Sequence, residues 1–162
     1  MDSYGSIVFI GTSALLAAAL SYAKSVRTAK VTEIWIYPIK SCGGISMKKA
    51  LVGKRGFEFD RLFMFVDKEN NFISQRSHPK LALIVCSIDD DCTVLTISGP
   101  DGKDKLYISM GAPNTSNKVQ ITCTVWGEEC SADVVPHAGE WLCNFLHGTE
   151  TGFRLVRMAG KM

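Results

Sequence analysis

The chain opens on an uncharged apolar run at residues 7–23 (IVFIGTSALLAAALSYA), before any regular alternation of polar and apolar positions begins. A membrane-spanning helix needs about 17 to 25 mostly apolar residues, and this run meets the short end of that range. Tyr4 and Tyr22 bracket it, where aromatic rings favour the membrane interface. Asp2 precedes the run and Lys24, Arg27 and Lys30 follow it, so the positive-inside rule puts the N-terminus outside and the remainder in the cytosol. A cleaved signal peptide is the rival: Ser21 and Ala23 offer a small-x-small cleavage site, but no Lys or Arg precedes the run. Residues 1–30 are expected to be a membrane anchor, with a transmembrane helix at about 7–23.

After Lys30 the pattern changes to short β-like runs. Residues 31–37 are β-branched and aromatic and stop at Pro38; residues 45–52 alternate and end near Gly53. Residues 57–66 form the strongest strand candidate, the turn cluster 67–71 follows, and 72–75 read as the returning arm of a hairpin. Residues 81–88 are an unbroken apolar stretch, 93–98 alternate, and a Gly-Pro-Asp-Gly turn at 99–102 leads to 106–108. Residues 119–125 and 130–135 make two more strands around Gly127. Helical spacing occurs at 137–146, where Trp141, Leu142, Phe145 and Leu146 share a face and Gly148 is placed to end the helix. Residues 153–158 read as one further strand, without an evident partner. Short strands with Gly, Asp and Asn turns predict a mainly β sandwich or barrel with one C-terminal helix, not βαβ units.

Composition narrows the function. Apolar residues at 46% and charged residues at 21% are those of a folded domain. A net charge of +2 and a pI of about 8.2 exclude the strong basic field of a dedicated nucleic-acid binder. The cysteines at 42, 86, 92, 123, 130 and 143 contain no Cys-x-x-Cys pair, and no His pair follows at zinc-finger spacing. Cys86 and Cys123 lie inside apolar runs, as reduced core thiols do. A cytosol-facing body would keep them reduced.

Three segments carry candidate chemistry. Residues 38–44 (PIKSCGG) place a lysine, a hydroxyl and two glycines directly after a strand; that set suits a phosphate or other oxyanion, and equally an ordinary turn with a solvated lysine. If 57–66 is one strand, Arg61 shares a face with Phe57, Phe59, Phe63 and Phe65, with Asp60 turned to the other face. A guanidinium there needs an anion; alternatively the strand starts later, or Arg61 pairs or stacks elsewhere. Residues 74–80 (SQRSHPK) form a polar, basic link in which His78 reads as a turn residue before Pro79. Cys42 beside Lys40 is either a thiol of lowered pKa or a structural one. There is no Gly-x-Ser-x-Gly, no dinucleotide fingerprint and no acid pair on a shared face.

The anchor followed by IWIYPIKSCGGISM, FDRLFMFVDKENNFISQR and HPKLALI, in that order, resembles the mitochondrial amidoxime-reducing component family from residue 31 onward. Those proteins carry a MOSC N-terminal β-barrel domain followed by a MOSC domain. The resemblance implies an oxidoreductase that uses molybdenum-molybdopterin to reduce N-hydroxylated compounds such as amidoximes. Its electrons would come from NADH through a flavin reductase and a b-type cytochrome, at the mitochondrial outer membrane. It also implies that Lys40, Ser41 and Arg61 contact the phosphate end of the cofactor. The family's molybdenum-ligating cysteine belongs to the MOSC domain; none of the six cysteines here matches it, so no metal or catalytic residue is assigned and the cofactor site is partial. The expected organisation is an anchor at 1–30, the MOSC N-terminal β-barrel domain at 31–150 and the start of a truncated MOSC domain at 151–162. The alternatives are a non-catalytic membrane-tethered β-domain binding module, a vestigial fragment, or a relative of the sulfur-handling MOSC proteins linked to cysteine desulfurases.

Overall fold

The computed structural model of the chain describes residues 29–54, 56–111, 119–148 and 150–158. The apolar run at 7–23 lies outside them, as do the anchor and signal-peptide readings placed on it. Among the described residues no helix is long and apolar enough to cross a membrane. The chain divides into two compact units, Met1–Thr32 and Glu33–Met162. In the first, residues 29–32 are exposed and lie outside any strand or helix.

The second unit is mainly β. Strands β1 (Ile34–Ile36) and β2 (Ile45–Met47) pair antiparallel, and β3 (Val52–Gly53) and β4 (Gly56–Phe57) form a tight hairpin. The four-stranded sheet contains β5 (Phe63–Val66), β9 (Gln120–Val125), β10 (Glu128–Val135) and β11 (Arg154–Met158) in the order β5-β11-β10-β9, all antiparallel. A separate meander is built from β6 (Val85–Ile88), β7 (Val94–Ser98) and β8 (Leu106–Ser109). Strand β11, which alternation alone left without a partner, is paired on both sides: Leu155 lies opposite Phe65 and Val135, and Val156 opposite Met64 and Val134. Both partners are distant in sequence or shielded by the helix, so no local pattern announces them.

The four-stranded sheet closes on itself. Residues 70–73 bond to the outer edges of both β9 and β5: Phe72 N–H donates to Thr124 O (2.9 Å), Thr124 N–H to Asn70 O (3.0 Å) and Ile73 N–H to Phe65 O (3.1 Å). Strand β5 is buried on both faces in consequence. Phe63 and Phe65 join the larger core, with Leu81, Leu95, Ile97, Leu142 and Leu155, whereas Met64 and Val66 join a second core drawn from the ring, with Cys123, Ala132 and Val156.

Helix α1 (Ala138–Leu146) lays Leu142 fully into the larger core, with Trp141, Phe145 and Leu146 partly buried beside it, as the spacing predicts. Trp141 and Phe145, one turn apart, stack at 5.3 Å. His147 ends the helix in a left-handed conformation, with its N–H bonded to Asn144 O (3.2 Å); Gly148 is not used for this. Two expected strands are shorter than their apolar runs. Residues 81–88 divide into a 3-10 turn over Pro79–Leu83, begun by the proline, and β6. Residues 57–66 break at a turn in which both Phe59 and Arg61 have positive φ.

Candidate anion-binding site

Strand β5 positions the site through its outer edge. Phe63 N–H donates to Pro38 O and Lys40 N–H to Phe63 O, both at 2.9 Å, so residues 38–40 run alongside β5 as a parallel bridge. Two residues further along the same edge Phe65 receives Ile73 N–H. These two attachments set Lys40 against Phe72: its ammonium lies 4.4 Å from the Phe72 ring centroid and 5.6 Å from that of Trp126. Trp126 arrives from the β9–β10 turn and meets Phe72 edge-on at 5.7 Å. Cations over aromatic faces are attracted by the ring quadrupole. Burial lowers the Lys40 pKa from its ordinary value; nearby Cys130 opposes this and the Arg61 guanidinium adds to it. Among the described residues Lys40 forms no salt bridge.

Arg61 is not in the middle of an aromatic strand face. The chain turns at 58–61, Asp60 accepts Tyr37 N–H on one carboxylate oxygen (2.8 Å) and pairs with the Arg61 guanidinium on the other. Arg61 N–H in turn donates to Tyr37 O (2.8 Å), and its guanidinium lies 5.5 Å from the Tyr37 ring. The strand therefore starts later, and Asp60, placed on the opposite face by simple alternation, is the partner. The Arg61 side chain is 60% exposed. It nevertheless lines, with Lys40, a cavity of about 230 Å3 walled by Phe63, Met64, Val125 and Met158. Two cations and a set of apolar side chains thus line one cavity.

Ser41 is held differently. It has a positive φ of 68°, and its carbonyl accepts the Gln75 side-chain amide (3.0 Å), so its backbone anchors the loop to the 74–77 turn. Of the two glycines that follow, Gly43 does not offer an open N–H to a ligand. Gly43 N–H donates to Ile84 O (3.0 Å), and a Cβ on Gly43 would come within 2.5 Å of that same oxygen. A Cβ on Gly44 would meet the Tyr37 ring at 2.7 Å. Both glycines are required by close packing.

Cys42 is buried, and burial, reinforced by the neighbouring Cys86, pushes its pKa up, so the activated-thiol reading is overturned. Cys86 is pushed up to about 12 and Cys123 to about 11, again chiefly by burial. All six cysteines are free, as the apolar surroundings of Cys86 and Cys123 predict. Brief alkylation of the folded protein at mildly alkaline pH is expected to label Cys92 and Cys143, which are partly exposed, and to spare Cys42, Cys86 and Cys123. Peptide mass spectrometry checks this, with all six labelled after denaturation; rapid native labelling of Cys42 would contradict its burial.

His78 belongs to the turn, as expected: it precedes the 3-10 turn, and its ring nitrogens contact Glu150 (2.8 Å) and Ser77 (3.0 Å). Sequence reasoning did not include Phe72, Trp126 or Asp60 in the site. A Trp-Gly pair between two strands is the one local hint, because it marks an exposed hairpin tip.

The chain matches the MOSC N-terminal beta barrel domain family over residues 28–149. It is similar to mitochondrial amidoxime-reducing component 1 of Mus musculus, 35% identical over 125 residues, which cover 74% of this chain and 35% of that protein. Mitochondrial amidoxime reducing component 2 of Bos taurus is 32% identical over 141 residues, covering 84% of this chain and 40% of that one. Molybdenum cofactor sulfurase of Caenorhabditis briggsae is 32% identical over 133 residues, covering 81% of this chain and 18% of that protein. The chain therefore spans less than half the length of these curated relatives. A Bordetella bronchiseptica protein solved in solution shares the fold, with a TM-score of 0.59 at 15% identity over 81% of this chain and 91% of that one.

Proposed function

The chain belongs to the MOSC N-terminal beta barrel domain family, and from that premise we propose that it is the N-terminal part of a membrane-anchored molybdenum-cofactor oxidoreductase that reduces N-hydroxylated substrates such as amidoximes. Within it, Lys40, Ser41 and Arg61 hold the phosphate end of the cofactor. The observation that carries this reading is the partly buried Lys40 ammonium, without a salt bridge among the described residues, lining the same cavity as Arg61.

The residues present fit a phosphate. Lys40 and Arg61 supply charge-assisted donors, the Ser41 hydroxyl is adjacent in sequence, and the apolar lining strengthens the partly buried Lys40 charge. They do not fit a metal: among the described residues no cluster of His, Cys, Asp or Glu has the makings of a metal site, and burial keeps the Cys42 and Cys86 thiols protonated. The bound cofactor would supply two-electron chemistry at its molybdenum, liganded outside this segment. The part played by these residues is to bind and orient: Lys40 neutralises the oxyanion, and Asp60 holds Arg61 beside it. The relatives' names and the resemblance support a mitochondrial setting, with residues 7–23 as a single N-out, C-in span of the outer membrane. A b-type cytochrome and its NADH-dependent flavin reductase are the electron donors in this reading. The match to a molybdenum cofactor sulfurase favours one second reading, a sulfur-handling role in cofactor maturation at the same phosphate site.

The test is phosphate-ester binding to the intact chain. Losing a hydrogen bond to a charged group costs about 1.5–3 kcal/mol, so Lys40→Ala is expected to weaken binding roughly 10- to 100-fold. Arg61→Ala is expected to act more weakly, because its guanidinium is exposed and already paired. The pH dependence has a definite sign. Burial depresses the Lys40 pKa in the free protein, and a bound anion favours the charged form, so binding takes up a proton at high pH. Affinity therefore falls as pH rises through the lowered free-state pKa, and Lys40→Ala flattens that fall. Wild-type affinity in Lys40→Ala by titration calorimetry would remove the basis of the proposal.

A further inference from the structure

We propose that Arg76 is a further anion-contacting residue of this site, presented to it by the Trp126 indole. The proposal rests on the Lys40–Arg61 reading and extends it to the polar link 74–80, which that reading leaves without a role. The guanidinium of Arg76 lies 5.7 Å from the Trp126 ring centroid and the Lys40 ammonium 5.6 Å from the same centroid, so one indole carries both cations.

This placement is built by the backbone. Ser74 and Ser77 lock the turn reciprocally: Ser74 N–H donates to Ser77 Oγ (3.1 Å), Ser77 Oγ–H donates to Ser74 O (3.0 Å), and Arg76 N–H donates to Ser74 Oγ (3.2 Å). Gln75 then ties that turn to the Ser41 carbonyl, immediately after Lys40. The turn and the Lys40 loop are thereby linked, and Trp126 packs against Phe72, over which Lys40 lies.

Charge supplies the rest of the argument. Among the described residues neither Lys40 nor Arg76 forms a salt bridge, whereas Arg61 has Asp60. Two cations gathered on one ring without a carboxylate repel each other, and an oxyanion shared between them relieves that repulsion. Arg is suited to the task because its planar guanidinium stacks on the indole and still presents N–H groups at its edge. The chemical class of ligand is a phosphate or phosphomonoester dianion, bridging Lys40, which lines the cavity with Arg61, and Arg76, which stands at the Trp126 ring outside that cavity's lining.

Inorganic phosphate serves as the probe, with 31P line broadening and intrinsic tryptophan fluorescence as readouts on the intact chain. Arg76→Ala is expected to weaken binding about 5- to 10-fold, the low end of the loss for a hydrogen bond to a charged group. Arg76→Lys is expected to recover part of that loss. Trp126→Ala is expected to weaken binding at least as much as Arg76→Ala, because the indole also carries Lys40, and adding Arg76→Ala to it is expected to have little further effect. Arg76 is exposed, so an unchanged melting temperature separates binding from folding. Wild-type affinity in Arg76→Ala together with weakened binding in Lys40→Ala overturns the role of Arg76 and leaves the two-cation site intact. Wild-type affinity in both variants overturns the site itself.

Discussion

Gly139→Ala is expected to destabilise the protein by about 3 kcal/mol, the upper end for forcing atoms into a packed interior. The sign opposes simple helix propensity, which favours Ala over Gly by about 1 kcal/mol at an ordinary helical position. Gly139 lies in the first turn of α1, where the helix crosses the entry to β11. A Cβ there would stand 1.9 Å from the Phe153 carbonyl oxygen and 2.9 Å from its carbon. Both are backbone atoms, so no side-chain rotation relieves the clash; helix and strand must separate. The separation would lift Leu142 and Leu155, both fully buried, away from one another's core. For a chain of this size the loss corresponds to a melting temperature lower by roughly 10 °C. Urea unfolding checks it. A midpoint at or above that of the wild type would mean the helix does not pack this closely.

Leu155→Ala is expected to cost about 2–5 kcal/mol, the range for emptying a fully buried leucine site. Leu155 sits in the central strand of the ring, between Phe65 and Val135, with no exposed surface. Strands on either side are held by hydrogen bonds to β11, so the surroundings have little freedom to collapse into the cavity, and the upper half of the range is expected. Val52→Ala provides the contrast. Val52 is 76% exposed on the β3–β4 hairpin, and its truncation is expected to change stability by no more than about 0.5 kcal/mol. Chemical denaturation of the two variants beside the wild type measures both. A Leu155→Ala variant as stable as Val52→Ala would place 153–158 outside the folded unit.

Alternation exposed most of the strands because one face of each is apolar: β7 and β9 bury every second residue along much of their length. It failed where the apolar pattern runs through a break. Phe57, Phe59, Phe63 and Phe65 keep perfect period-two spacing, yet the chain turns between them. The turn is stabilised by the bond from Tyr37 N–H to the Asp60 carboxylate, a contact between residues 23 apart in sequence. No local window contains both partners. The same limit applies to the site. Lys40 was legible from its own loop, because a lysine beside a hydroxyl and glycines after a strand is a compact chemical signal. Phe72 and Trp126 were not, because they reach Lys40 only after residues 70–73 bridge β9 and β5. The glycines at 43 and 44 were legible as glycines and misleading as to purpose: their neighbours, Ile84 and Tyr37, are supplied by other segments.

The bridge at residues 70–73 also decides how one copy of the chain can meet another. Because the bridge pairs with β9 at Thr124 and with β5 at Phe65 and Val66, the four-stranded sheet has no free amides and carbonyls at those positions to which a stray strand can add. The meander is different: β6 and β8 are its outer strands, and β8 carries Tyr107 at 66% exposure. Strand-swapped or aggregated forms should therefore grow from the meander, with the ring that frames Lys40 surviving inside them.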